Sequence, residues 1–162
     1  MAIKKPKTNW TMLIAFIILC NLAGLIGSIF TFPAITGWYA TLSKPVFSPP
    51  NWVFGPVWTT LYFLMGISGY LIWQKGFKKR PVRAALALFG AQLFLNALWS
   101  ILFFGLQSPL YGLVCILFLW AFIALTIRSF YAINRTAAYL LVPYIAWVSF
   151  AAVLNFAIWA IN

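Results

Sequence analysis

The chain has 162 residues; 65% are hydrophobic, 20% aromatic and 7% charged, and the charges are eleven Lys and Arg with no Asp, Glu or His. That composition excludes carboxylate-pair hydrolysis, His-based triads, His or carboxylate metal sites and intramembrane carboxylate relays, because each needs a side chain that is missing. Aromatic rings, amides, hydroxyls and a few cations remain.

A bilayer core about 30 Å thick takes roughly 20 apolar residues per helix, and five runs of that kind follow one another. They are continuously apolar, unlike the short alternating segments of a β-barrel. The expected fold is therefore all-α, one integral membrane bundle of five transmembrane helices over residues 1–162. The first run, Trp10–Phe32, follows Lys4, Lys5 and Lys7. It is longer than the apolar part of a signal peptide and is expected to be retained. The connection Pro33–Asn51 is the long one, and Pro33, Pro45, Pro49 and Pro50 stiffen it. Trp38, Tyr39 and Phe47 give it an apolar underside, so it reads as a lid over the helix ends, with Lys44 its one cation and Trp52 at its exit.

The second run, Trp52–Trp73, opens WVFGPVW, so its helix either starts near Gly55 or bends at Pro56. Lys75, Lys78, Lys79 and Arg80 follow, with Arg83 just inside the third run, Val82–Gly105. The fourth run, Pro109–Ile127, is followed by Arg128 and Arg135, and the fifth is Ala137–Ile161. Ten of the eleven cations thus share one side of a five-span topology, all but Lys44. The positive-inside rule then places the N-terminus in the cytoplasm and the C-terminus outside, in a bacterial cytoplasmic membrane. Cations confined to membrane ends, with no basic face beyond them, argue against nucleic-acid binding. Cys20 and Cys115 fall inside spans and read as small buried apolar side chains.

Helical spacing gathers certain residues onto common faces. These are Gly24, Gly27, Ser28 and Thr31; Trp58, Tyr62 and Met65; Gln92, Asn96, Trp99 and Phe103; Tyr111, Cys115 and Phe118; and Tyr144, Trp147, Ala151 and Leu154. Counted at about 1.5 Å per residue, most of them occupy a slab about 5–15 Å below the outer surface, under the lid, with Trp147 as its floor. An apolar space with a few polar groups is the make-up of a small-molecule site, although plain bundle packing produces the same periodicity. Ala84, Ala87, Gly90 and Ala91 offer small residues for a homodimer through the third helix.

Three stretches, WYATLSKPVFSPPNWVFGPVWTTLYFLMG (Trp38–Gly66), QLFLNALWSILFFG (Gln92–Gly105) and LLVPYIAWVSFAAVLNFAIWAIN (Leu140–Asn162), resemble the translocator protein family (TspO, or peripheral benzodiazepine receptor). The spacing P-x-x-x-P-P-x-W-x-x-x-P-x-W from Pro45 to Trp58 is its most specific part. The resemblance implies a five-helix bundle, often a homodimer, that needs no cofactor and binds porphyrins such as protoporphyrin IX, sterols and synthetic ligands beneath the first loop. Matched by motif, the ligand-binding positions are Ser28, Thr31, Phe54, Gly55, Val57, Trp58, Tyr62, Asn96, Trp99, Tyr111, Phe118, Trp147, Ala151 and Leu154. Trp58 and Trp147 match tryptophans tied to light-dependent porphyrin breakdown in some members. Phe47, Ser48, Tyr111 and Cys115 depart from frequent family residues, and Phe156 breaks the usual sterol motif. The function implied is binding or sensing of planar hydrophobic ligands, porphyrins first. Light-dependent degradation and passive transport of tetrapyrrole or sterol-like molecules are the alternatives.

Overall fold

With no acid available, the helices start on neutral caps. In a computed structural model that describes residues 8–162, Asn9 accepts from the Met12 N–H at 3.1 Å and opens α1 (Trp10–Thr36). Ser108 accepts from the Tyr111 N–H at 3.3 Å and opens α5 (Pro109–Ile133). Asn134 accepts from Thr136 and Ala137 and opens α6 (Arg135–Leu140). These are the side chains that best satisfy the orphan N–H groups of a first turn. The remaining elements are α2 (Trp38–Thr41), α3 (Asn51–Trp73), α4 (Arg80–Ser100) with a π-helical turn over Ile101–Gly105, and α7 (Val142–Ile161). There is no strand among the described residues.

Among the described residues, four helical segments are long and apolar enough to cross a membrane: α1, α4 with its π turn, α5, and α6 with α7. The count of five therefore turns on α3, which is 23 residues long and uncharged. Its Trp, Tyr, Thr, Gly and Pro content leaves it less apolar than the other four.

Element boundaries differ from the sequence expectation where proline or a long side chain intervenes. α1 runs through Pro33 to Thr36, with Ala34 buried, so the loop shortens to residues 37–50 and encloses α2. One proline removes one ladder bond, and the chain on either side of it keeps helical geometry. α3 begins at Asn51, one residue ahead of the expected run, and continues through Pro56, so it does not wait for Gly55 to start. α5 continues six residues past Ile127 and carries Arg128, which is exposed; a long stem lets such a residue extend an apolar helix past the charge. The fifth run is two helices, interrupted at Leu141 where Pro143 supplies no N–H.

Close packing at the end remote from the loop rests on small residues. Gly66 lies against the α1 backbone, where an added Cβ would fall 2.6 Å from the Ile17 Cα, and Gly69 lies against Phe16 and Phe89. Backbone cannot move aside as a side-chain tip can, so Gly66→Ala must push α1 off α3. The expected loss is about 1–3 kcal/mol, read as a lower midpoint in an SDS unfolding titration. Ser68 donates to the Ala137 carbonyl at 2.7 Å and ties α3 to α6, while Phe89 stacks on Phe130 between α4 and α5. Lys4, Lys5 and Lys7 lie outside the described residues. Seven of the eight described cations (all but Lys44) sit in the α3–α4 and α5–α6 connections and their flanks.

Candidate ligand-binding cavity

α1 and α3 pack tightly at Gly66 and separate toward the loop, where α4, its π turn and α7 complete a cavity of about 690 Å³. Glycines set its width. A Cβ on Gly24 would collide with the Tyr62 ring, and one on Gly27 would meet the Ser100 side chain. On α3, Trp58 and Tyr62 are one turn apart and stack at 5.5 Å. Across the cavity Trp99 stacks on Phe103 at 5.4 Å, and Phe103 meets Phe104 edge-on at 4.8 Å. The π turn carries both phenylalanines, and Leu106 N–H closes it onto the Ile101 carbonyl at 2.8 Å. Such turns are often found at functional sites.

Two amides fix the walls. Asn96, 2% exposed, accepts from the Tyr62 hydroxyl through Oδ1 and donates through Nδ2 to the Tyr144 hydroxyl at 3.1 Å. One side chain thereby joins α3, α4 and α7. Asn155 accepts from the Trp99 indole N–H at 3.1 Å and donates to the Pro109 carbonyl at 2.8 Å. The hydroxyls of Ser28, Thr31 and Thr59 donate to carbonyls of their own helices. Bonds of this kind satisfy polar groups that would be costly to bury alone.

The loop closes one end. Trp38 and Tyr39 meet Phe103 edge-on at 5.6 and 6.2 Å, and Phe47 meets Phe150 at 6.4 Å. Pro45 and Ser48 form a turn closed by Ser48 N–H on the Pro45 carbonyl, and Pro49 and Pro50 lead into α3. Lys44 Nζ lies 4.6 Å over the Tyr39 ring. Burial pushes the Tyr39 hydroxyl above its ordinary range, with a hydrogen bond to Ser48 opposing, so it stays neutral at physiological pH. Asn162 latches the loop to α7: Ser43 N–H donates to Asn162 Oδ1 at 2.9 Å, and Asn162 Nδ2 donates to the Ser43 carbonyl at 3.0 Å. Asn162→Ala removes both bonds, together about 1 kcal/mol at an exposed position. The expected result is several-fold faster limited proteolysis within residues 42–50, with the helices left intact.

Ser28, Thr31, Phe54, Gly55, Trp58, Tyr62, Asn96, Trp99, Ala151 and Leu154 all line this cavity, and Tyr39 and Trp52 line it from the loop side. The other four positions matched by motif do not, and neither do Met65, Gln92, Cys115 and Tyr144 from the helical faces. Val57 and Trp147 line a separate open groove of about 640 Å³ with Pro56, Pro143 and Phe150. Phe54 stands between the two spaces, its ring 5.8 Å from that of Trp147. Tyr111 and Phe118 lie on the outer face of α5, 57% and 59% exposed. The lining also includes Gly24, Gly27 and Phe103, which helical spacing places on the same faces, and Ser100, Phe104 and Asn155, which were not singled out in the sequence. Asn155 had a signal: it is four residues beyond Ala151 and eleven beyond Tyr144, on the face already drawn for α7.

The side of the cavity toward α1 is open. Ile18, Leu22, Leu25, Phe32 and Trp52 belong to its lining and are also exposed on the outside of the bundle. An apolar molecule can pass there between the cavity and surrounding lipid. No side-chain anion exists in the chain to line it.

A model of the TspO/MBR family matches residues 16–160 of this chain. The "Tryptophan-rich protein TspO" of Archaeoglobus fulgidus is 49% identical over 154 residues, 95% of this chain and 99% of the relative. The protein of the same name from Chlorobaculum tepidum is 48% identical over 144 residues, covering 89% and 91%. The "Translocator protein" of Bos taurus is 39% identical over 155 residues, covering 94% and 91%. The chain belongs to the TspO/MBR family.

Proposed function

We propose that this member of the TspO/MBR family is a membrane receptor for a planar apolar ligand, a porphyrin before others, held beneath the loop between α1, α3, α4 and α7. One observation carries the reading. A cavity of about 690 Å³ has stacked aromatic pairs on facing walls, Trp58 with Tyr62 and Trp99 with Phe103, and an apolar flank open to lipid. Small-molecule sites commonly run to about 300–1,000 Å³ with few, fixed polar groups. With no Asp, Glu or His in the chain, pH dependence of binding between about pH 5 and 8 belongs to the ligand. The test is a titration with protoporphyrin IX followed by tryptophan fluorescence. Saturable quenching near one equivalent supports the reading, and no quenching up to the solubility limit overturns it.

A second reading is favoured by Trp58 lying on the cavity wall: light-driven breakdown of the bound porphyrin. The chain has no Asp, Glu or His, so the chemistry would be the ligand's own, with an indole as partner. Loss of the Soret band in light and not in darkness, slowed in Trp58→Phe, would support it.

In the membrane, α3 makes the fifth crossing: it is 23 residues long, uncharged and packs against α1 and α4. The basic end faces the cytoplasm and the loop faces outward. A homodimer forms through α4: Ala84, Ala87 and Gly90 are exposed, Ala91 is half-buried, and a Cβ on Gly90 would meet nothing within 4 Å. Small residues on an outer face allow close helix contact between copies. Ala87→Leu is expected to move the protein from dimer to monomer on a sizing column in mild detergent. An unchanged dimer would place the interface elsewhere.

A further inference from the structure

The end of the bundle away from the cavity holds a second arrangement of chemistry. The α3–α4 connection and its flank carry five exposed cations, and Arg128 and Arg135 stand at the α5–α6 corner, both exposed. The chain has no side-chain carboxylate, so neither this protein nor a second copy can pair these charges through an Asp or Glu. At the corner the cations are built into an aromatic frame. The Arg135 guanidinium lies 5.2 Å over the Tyr131 ring, and Tyr131 meets Tyr139 edge-on at 6.1 Å. Arg128 precedes Tyr131 by three residues, on the same face of α5. The backbone turns there because Asn134 is extended and caps α6, which brings Arg135 back over the end of α5.

We propose that this corner binds the headgroup of an anionic phospholipid in the leaflet it faces. Two guanidinium forks match the paired non-bridging oxygens of a phosphodiester. The Tyr131 and Tyr139 hydroxyls supply further donors, and their rings sit at headgroup level where helices leave the membrane. The apolar flank of α5 below them takes the acyl chains, which is why the occupant is a lipid and not a soluble phosphate. The cations of the α3–α4 connection raise the local concentration of anionic lipid without framing a site of this kind. The corner lies at the opposite end of the bundle from the cavity, so the proposal stands or falls independently of porphyrin binding.

The experiment is a competition between phosphatidylglycerol and phosphatidylcholine for the purified full chain, read by native mass spectrometry of lipid-bound species. Phosphatidylglycerol is expected to win, and Arg128→Gln with Arg135→Gln to cut that preference by at least about tenfold, since two charge-assisted forks are lost. Lys78→Gln with Lys79→Gln should retain most of it. Arg135→Lys keeps the charge without the fork; a preference reduced in that variant supports the site even where the double glutamine variant fails to fold. Equal binding of the two lipids overturns the proposal. So does a preference unmoved in both arginine variants, which would mean diffuse charge. Displacement of the lipid by millimolar inorganic phosphate would overturn it in favour of a soluble anion.

Discussion

Asn96→Leu is expected to destabilise the bundle by about 2–4 kcal/mol, the largest effect of any single polar substitution in it. The leucine fills similar volume, so the loss is not a cavity. It leaves the Tyr62 hydroxyl without its acceptor and the Tyr144 hydroxyl without its donor, both inside the protein. Hydrogen bonds between membrane helices average only about 0.6 kcal/mol in double-mutant cycles, because chains unfolded in lipid find other partners. That average describes removal of a bond whose ends can still be satisfied. Here two phenols are stranded against packed walls, so the penalty for unpaired buried groups, about 1–3 kcal/mol each, governs. Asn96→Asp separates the two halves. It keeps an acceptor for Tyr62 and loses the donor to Tyr144, and a buried carboxylate meets no cation nearby. Both variants should lower the SDS unfolding midpoint and Asn96→Ser should fall between them and the parent. Asn96→Leu with an unchanged midpoint would mean that the amide does not hold the three helices together.

How much was legible in the sequence depended on which way side chains lean. The faces of α3 and α4 were readable because a few polar or aromatic residues recur at helical spacing among aliphatic ones, as at Trp58 with Tyr62 and at Asn96 with Trp99. On α5 the same count chose Tyr111, Cys115 and Phe118; Tyr111 and Phe118 face outward, and Cys115 lies on the buried face with Gly112, Ile116 and Leu119. α5 is apolar all round, so hydrophobicity marks no side of it. Size does mark one: in a membrane bundle small residues pack against neighbouring helices, and large ones can be left to lipid. The same rule marks Gly24, Gly27 and Gly66 as contact positions. The interruption at Pro143 was a backbone matter that an unbroken apolar run concealed. Depth misled at Trp147 for a different reason. Its ring packs on Phe54 and Phe150 and lies on the far side of Phe54 from the cavity, in the groove with Pro143 and Ala146, whereas the Trp58 ring packs inward on Tyr62 and Tyr144.

Trp58 and Trp147 thus stand on opposite sides of Phe54, and ligand binding should measure the difference. Trp58 lines the cavity and stacks on Tyr62. Trp58→Ala loses the burial of a large ring against the ligand, about 1.5–3 kcal/mol, and the aromatic offset contact, about 0.5–1.5 kcal/mol. Protoporphyrin IX affinity should therefore fall at least about thirtyfold, on the conversion of about 1.4 kcal/mol per factor of ten. Trp58→Phe should fall less, since a smaller ring still stacks. Trp147 touches the site only through Phe54, and a phenylalanine in its place still buttresses that ring. Trp147→Phe should stay within about threefold of the parent. Affinities from fluorescence quenching need correction for the lost fluorophore, so absorbance at the Soret band is the better readout. Equal losses in the two variants would mean that the ligand opens the Phe54 partition and joins the cavity to the groove beyond it. In that event Phe54→Ala, which removes the partition, should bind at least as tightly as the parent. If the partition holds, the same substitution strips a wall from the site and weakens binding.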